Sequence, residues 1–449
     1  MAAANPTQII AAFAADRRHD RLAPEVEHAV RRAMLDSLGV MAAGTRHPAS
    51  VKVIDMIQGL GATGPCRIVG SATRADAISA ALANGVSAHV FDWDDTILPT
   101  RAHLSAALLP ALIAAGETRG WTIADIIPGF AVGFEIAARI NHAVYPSVHL
   151  RGWQGTGIAG GAGAAAAIGR MLGLGVDAIA HAMGISATGA SGLIATFGSM
   201  SKPLNIARAG ASGLQSAHLA ARGFTSHPDI FGAGRFLEMF DDAPRHHLLT
   251  GGLGARWSIL DNGYKPYPCG FVAHATIDAV RDLAATAGNG AGLRALRLRV
   301  SPEAMQLMNK TDPANELEAK FSLIYDAAVA WVEGNVTPAA FEDAAVRDPR
   351  YRSVMALTRI TVSDDVAQHE AFAEADLAGG RTIDVHVRHA RGTAERAMSD
   401  EDLRVKFASG LEIGGFDCAG DLAGLVMEAS GEPVARILDH LAIPAKRAA

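Results

Sequence analysis

The feature that most constrains this chain is a change of hydrophobic period near residue 265. Up to GYKPYPCGFVAHATIDAVRDL, apolar and small residues recur at spacings of three and four, the repeat of helices that bury one face. Beyond it, LRALRLRVSPEAM, RITVSDD and RTIDVHVRHARG alternate every second residue, as strands with one solvated face do. Segregated blocks of the two periods predict separate layers, not an alternating α/β fold. At 449 residues the chain also exceeds what one core usually serves. The expected architecture is mainly α, with a large helical domain first and a smaller α+β domain at about 268–400. From SDEDLRVKFASGL onward the chain returns to helix and is expected to pack back on the first domain.

Within the helical block, residues 6–44 read as amphipathic helices split near Pro24 and ended by a glycine turn from Gly39 to Gly44. WTIADIIPGFAVGFEIAARINHAV reads as a helix capped by Thr122 and kinked or broken at Pro128. In LRGWQGTGIAGGAGAAAAIGRMLGLGVDAIAHAMGISATGASG, glycines and alanines three and four apart let helices approach closely. Its GxGxxG-like glycines follow no strand, so a nucleotide reading is discounted. FGSMSKPLNIARAG sets Lys202 and Asn205 just before another small-residue helix.

Against this apolar background one stretch stands out: HVFDWDDTILPTRAHLSAALLP, residues 89–110. It packs Asp92, Asp94, Asp95, Thr96, Arg101, His103 and Ser105 between two helical runs, the second with Ser105 as its expected N-cap. Charges at such a junction beside a large core need partners or a task. Three readings are open here: a divalent-metal site on Asp-x-Asp-Asp, an acid–base site on His103 and a carboxylate, or a helix terminus with solvated acids.

The net charge of -6 and the absence of a basic block argue against nucleic acid as a partner. Cys66, Cys269 and Cys418 are odd in number and far apart, giving no disulfide framework and no CxxC pair, so a cytoplasmic setting is expected. No signal-type segment opens the chain, and every long apolar stretch is interrupted by Gly, Arg or His, so no membrane span is expected.

Four motifs in order carry a family resemblance: NGVSAHVFDWDD with His103 downstream, FGSMSKPLNIARAG, YKPYPCGFVAH and EAKFSLIYDAAVA. Together they cover most of the chain, which resembles the MmgE/PrpD family of 2-methylcitrate dehydratase, cis-aconitate decarboxylase and iminodisuccinate epimerase. The resemblance implies a helical domain made from residues 1–267 and 401–449, with the 268–400 domain inserted as a lid. It also implies a homodimer, no cofactor, no metal, and a small polycarboxylate as substrate, bound between the domains.

Carried over residue by residue, the resemblance places catalysis on Asp92, His103, Lys202, Lys265 and Tyr325, and substrate binding on Thr96, with Arg101, Gln154, Cys269 and His274 set around them. The chemistry agrees. An imidazole suits removal of a proton α to a carboxylate, and fixed ammonium groups suit the charge that then builds. Asp92 could hold the His103 tautomer, Tyr325 could act as acid or carboxylate donor, and Arg101 could bind a second carboxylate. Packing is the competing reading for Cys269 and His274, a helix-end or interdomain role for His89, and caps or salt bridges for Asp94 and Asp95. His246, His247, His386 and His389 read as surface.

Two departures matter. RGWQG has Gln154 where decarboxylase-like and many dehydratase-like members carry histidine, and a second decarboxylase-type histidine is replaced near Gly270. An amide cannot shuttle a proton at physiological pH. Of the three activities, dehydration of a hydroxy-polycarboxylate is expected first, epimerisation of a small dicarboxylate next and cis-aconitate decarboxylation last. A polycarboxylate-binding protein without catalysis is the alternative of another class.

Overall fold

The small residues explain how the helices meet. In the computed structural model, which describes residues 5–288, 292–428 and 431–442, helix Gly155–Met171 is packed by Ile123–Val144 and by Ser201–Ala220. A Cβ on Gly163 would lie 2.5 Å from the Gly133 carbonyl oxygen, and one on Gly213 2.5 Å from that of Gly161. Any larger residue would push these helices apart. The glycine run is therefore a packing surface.

Helix Pro24–Gly44 runs unbroken through Gly39 and Gly44, where a terminating turn was expected. A Cβ on Gly39 would sit 2.9 Å from the Cα of Phe407, so this glycine marks a close crossing with helix Asp400–Gly414. Pro128 likewise lies inside a continuous helix, which opens with a capping box between Thr122 and Asp125. One hydrophobic core gathers residues from Ile10 to Tyr264 and resumes at Met398 to Leu441. A second core spans Tyr267 to Ala390. The ends of the expected helical domain, at 1–4 and 443–449, lie outside the described residues.

The second core is built on four strands: β1 (Leu293–Val300), β2 (Thr358–Val362), β3 (Ala371–Leu377) and β4 (Thr382–Val387). Their order is β2-β1-β3-β4, with β1 and β2 parallel and the other pairs antiparallel. Leu298 lies opposite both Ile360 and Ala373, and Ala373 opposite Val385. Strand β3 was not among the expected ones. Its buried positions are mostly alanines between Phe372, Glu374 and Asp376, so its alternation is muted. Helix His274–Ala287 packs on β3 and β4, and helix Leu323–Glu333 packs against that helix. The protein is thus mainly helical, with a smaller domain that carries a sheet. No described helix is long and apolar enough to cross a membrane.

Candidate active site

The loop between helices Ala77–His89 and Leu104–Arg119 carries most of the charged residues of the opening stretch. Thr96–Ile97 pairs with Asn262–Gly263, which brings Lys265 beside the loop. Asp92 and Arg101 hold left-handed backbone conformations, with φ of 53° and 54°. Non-glycine residues adopt these at a cost and are enriched at sites of function. His103, not Ser105, occupies the N-cap position of the second helix. Ser105 lies inside the first turn, and its hydroxyl donates to Asp95 Oδ2 at 2.5 Å. The His103 backbone N–H donates to Thr156 Oγ1 at 2.8 Å, tying the loop to helix Gly155–Met171.

Asp92 is the centre of the cluster. Lys202 Nζ lies 2.8 Å and Lys265 Nζ 2.7 Å from the same oxygen, Asp92 Oδ1, and Lys265 also donates to the Asp92 carbonyl at 2.9 Å. Burial alone would raise the Asp92 pKa, but the Lys202 and Lys265 ammonium groups overcome it and hold this carboxylate well below its ordinary range. Burial also lowers the pKa of Lys202, against the attraction of Asp92. The Lys202 ammonium stands 5.3 Å from the ring centres of both Phe197 and Phe321.

His103 Nδ1 faces the Asp95 carbonyl oxygen at 3.0 Å and Asp94 Oδ2 at 3.3 Å, both acceptors, so Nδ1 carries the proton of the neutral ring. Its Nε2 is left bare, 3.9 Å from Asp92 Oδ1. That is the tautomer a general base needs.

A cavity opens beside this cluster, lined by Asp92, Thr96, Arg101, His103, Gln154, Lys202 and Lys265 from the helical side. Gly270, Phe271, Val272, Leu307, Met308 and Phe321 form an apolar wall from the smaller domain. Gln154 is 4% exposed, and neither the amide oxygen nor the amide nitrogen has a hydrogen-bond partner among the described residues. A buried orphan amide at a cavity wall asks for a ligand. Arg101, on the cavity wall, forms an ion pair with Glu303 of the smaller domain at 2.5 Å.

Three expected site residues are not on the cavity. Tyr325 is buried in the second core, its hydroxyl donating to the Ala340 carbonyl at 2.5 Å, so it is a packing residue of the smaller domain. Cys269 is wholly buried, and burial, with Asp326 nearby, pushes its thiol well above the usual range. His274 is buried between the rings of Tyr267 and Phe271. For the last two the packing reading is the one the structure favours.

Two histidines were missed. His89, read as a helix end, is fully buried and joined to Asp94 at 2.8 Å and Lys202 at 2.8 Å. Its spacing, three residues before Asp92 and five before Asp94, was the available signal. His149 lines the cavity with Arg101 and His103, and burial, reinforced by those two groups, lowers its pKa to about 4. It sits in a four-residue helix that no periodicity reveals.

His89, Asp92, Asp94 and His103 have the mutual spacing of a metal site, their ligand atoms lying within 4.8 Å of one another. The ammonium groups stand at the same atoms. Lys202 takes His89 Nε2 and shares Asp92 Oδ1 with Lys265, so two positive charges occupy ligand atoms a divalent cation would need.

Residues 8–244 match the MmgE/PrpD N-terminal domain, and residues 267–415 match the MmgE/PrpD C-terminal domain. Among individual proteins, the chain is 29% identical over 292 residues to a cis-aconitate decarboxylase of Aspergillus terreus. That match spans 62% of this chain and 60% of the length of the relative. The cis-aconitate decarboxylase of Mus musculus is 27% identical over 403 residues, 84% of this chain and 80% of that protein. The Homo sapiens enzyme of the same name is 26% identical over 350 residues, 73% and 71% of the two chains.

Proposed function

The chain belongs to the MmgE/PrpD family, and from that premise we propose that it is a cofactor-independent lyase acting on a small polycarboxylate. The observation that carries the reading is the bare Nε2 of His103 facing a cavity flanked by two ammonium groups and an unpartnered amide. His103 takes a proton α to a carboxylate. Lys202, Lys265 and Arg101 bind the substrate's carboxylates and stabilise the charge that builds. Arg101 is held by Glu303, so a substrate carboxylate competes with Glu303 for it. The smaller domain acts as a lid whose closure excludes water. Residence in the cytoplasm and assembly as a homodimer complete the proposal.

Dehydration is the first reading. The C–H bond breaks to His103, the double bond forms, and the hydroxyl leaves as water with a proton from Lys202, whose buried ammonium is the readier acid. Decarboxylation is the second, favoured by the names of the relatives. It needs a proton donor for the carbanion left when CO2 departs; a bare Nε2 on His103 has none to give there, so the Lys202 ammonium would have to supply it. Gln154 cannot supply it, and a Cβ on Gly270 would lie 2.4 Å from Met308 Sδ, so no imidazole fits there without moving that side chain.

Proton NMR of the protein with a panel of polycarboxylates in D2O tests the proposal. New alkene signals with the carbon skeleton intact support dehydration, and a skeleton one carbon shorter means decarboxylation. Deuteration at the α carbon without elimination means epimerisation. Ligand shifts without exchange or turnover would replace the enzyme by a binding protein. Activity is expected to survive EDTA; loss that Mg or Mn ions restore would overturn the metal-free account.

A further inference from the structure

Asp94 does not line the cavity, yet it touches the imidazoles of both His89 and His103. We infer that Asp94 and His89 are positioning residues: one carboxylate fixes the tautomers of two histidines, and the second histidine aims Lys202. The inference rests on the reading of His103 as the base.

The geometry allows one assignment. Asp94 Oδ1 and Oδ2 lie 2.8 Å and 2.9 Å from His89 Nδ1, and Oδ2 lies 3.3 Å from His103 Nδ1. An ionised carboxylate only accepts, so both Nδ1 atoms carry hydrogen and both Nε2 atoms are bare. On His103 the bare nitrogen faces the cavity side. On His89 it accepts a hydrogen bond from the Lys202 ammonium at 2.8 Å. The side chains of His89 and Asp94 are wholly excluded from solvent, and the rings of His89 and His103 stand 4.7 Å apart.

The electrostatics keep this chain of bonds intact. Burial lowers the His89 pKa to about 4, against the attraction of Asp94 and with the help of Lys202 and His103. A neutral His89 can accept from Lys202, whereas an imidazolium would repel it. Burial would raise Asp94, but His89 and His103 hold it well below the ordinary carboxylate range, so it stays an acceptor. Beside them Asp92 pairs with both Lys202 and Lys265.

The experiment has two parts. Long-range proton–nitrogen NMR of the wild-type protein between about pH 5 and pH 8 should show His89 and His103 both protonated on Nδ1, with His89 neutral throughout. An Nε2–H tautomer or an imidazolium at His89 would overturn the inference. Those tautomers in a protein that turns over no polycarboxylate would instead sink the proposed reaction and leave the positioning intact.

The second part uses variants, with tricarballylate as an unreactive binding probe. Asp94→Asn must offer an N–H to one ring, and kcat should fall roughly 10⁴-fold, the scale of a wrong-tautomer defect, while tricarballylate binding changes little. His89→Gln, whose side-chain oxygen can accept from Lys202, should retain more kcat than His89→Asn, which reaches only Asp94. Folded variants with lowered stability but unchanged kcat would make the pair merely structural.

Discussion

Two clefts lie between the domains, and the larger is not the candidate site. The wide one spans about 1620 Å³, solvent-open space included, against about 600 Å³ on the same measure for the cavity at Asp92. Three charged side chains lining the wide cleft are held in ion pairs: His47 lies 3.2 Å from Glu316, Arg391 2.6 Å from Asp402, and Lys406 2.6 Å from Asp36. In the small cavity two ammonium groups share one carboxylate oxygen, the Gln154 amide has no partner, and an imidazole nitrogen is bare. Unmatched polar groups, not volume, mark where a ligand belongs.

The same contrast appears within one loop. Asp92 and Asp95 are three residues apart and both buried, yet Asp92 is held far below its ordinary pKa while Asp95 is pushed up to about 8. Burial acts on both. Asp92 meets two lysines, whereas Asp95 meets the carboxylate of Asp36, partly offset by hydrogen bonds from Ser105 and Asn262. Neighbours decide which carboxylate stays ionised.

The largest effect that would sharpen this comparison is on the matched side. Lys406→Met leaves Asp36 buried without its ammonium, and breaking such a pair costs about 3–5 kcal/mol. Urea unfolding should show that loss, with polycarboxylate binding retained by the folded fraction. On the unmatched side, Lys202→Met or Lys265→Met should weaken polycarboxylate binding by roughly 1.5–3 kcal/mol, the worth of a charge-assisted hydrogen bond. Calorimetric titration reads this, and unchanged affinity would break the contrast between the clefts.

A smaller effect concerns Asp95. Its raised pKa means that the neutral carboxyl's contribution is complete below the ordinary value of 3.8 and is lost as pH rises through about 8. Asp95→Asn cannot ionise, so its stability relative to wild type should improve from about pH 4 to about pH 8. A stability difference independent of pH would contradict the assignment. The smallest change is expected for Gln154→His, which should fold normally and shift the pH profile of turnover with a stability change within roughly 1 kcal/mol.

Much of this was legible in the residues. The period change near 265 located the two cores, and the charged stretch with Lys202 and Lys265 supplied the cluster. What stayed hidden depended on direction rather than on type. Tyr325 sits in a motif that resembles the family's, but its helix turns the phenol toward Ala340 and away from the cavity. Gly39 and Gly44 read as a turn because sequence does not show the helix that crosses there. His89 does end its helix, as read, but its task was hidden because Lys202 lies in a helix far along the chain. Strand β3 was hidden by alanines, which fit either period.

The most direct test of the account is α-proton exchange by His103→Asn in D2O, followed by proton NMR beside a binding titration. The substitution keeps polarity and approximate size and removes the bare ring nitrogen. The account predicts exchange slower by at least ~100-fold, the scale of a lost general base, with polycarboxylate binding nearly intact. Normal exchange, or lost binding while the Lys202→Met and Lys265→Met proteins bind normally, would contradict it.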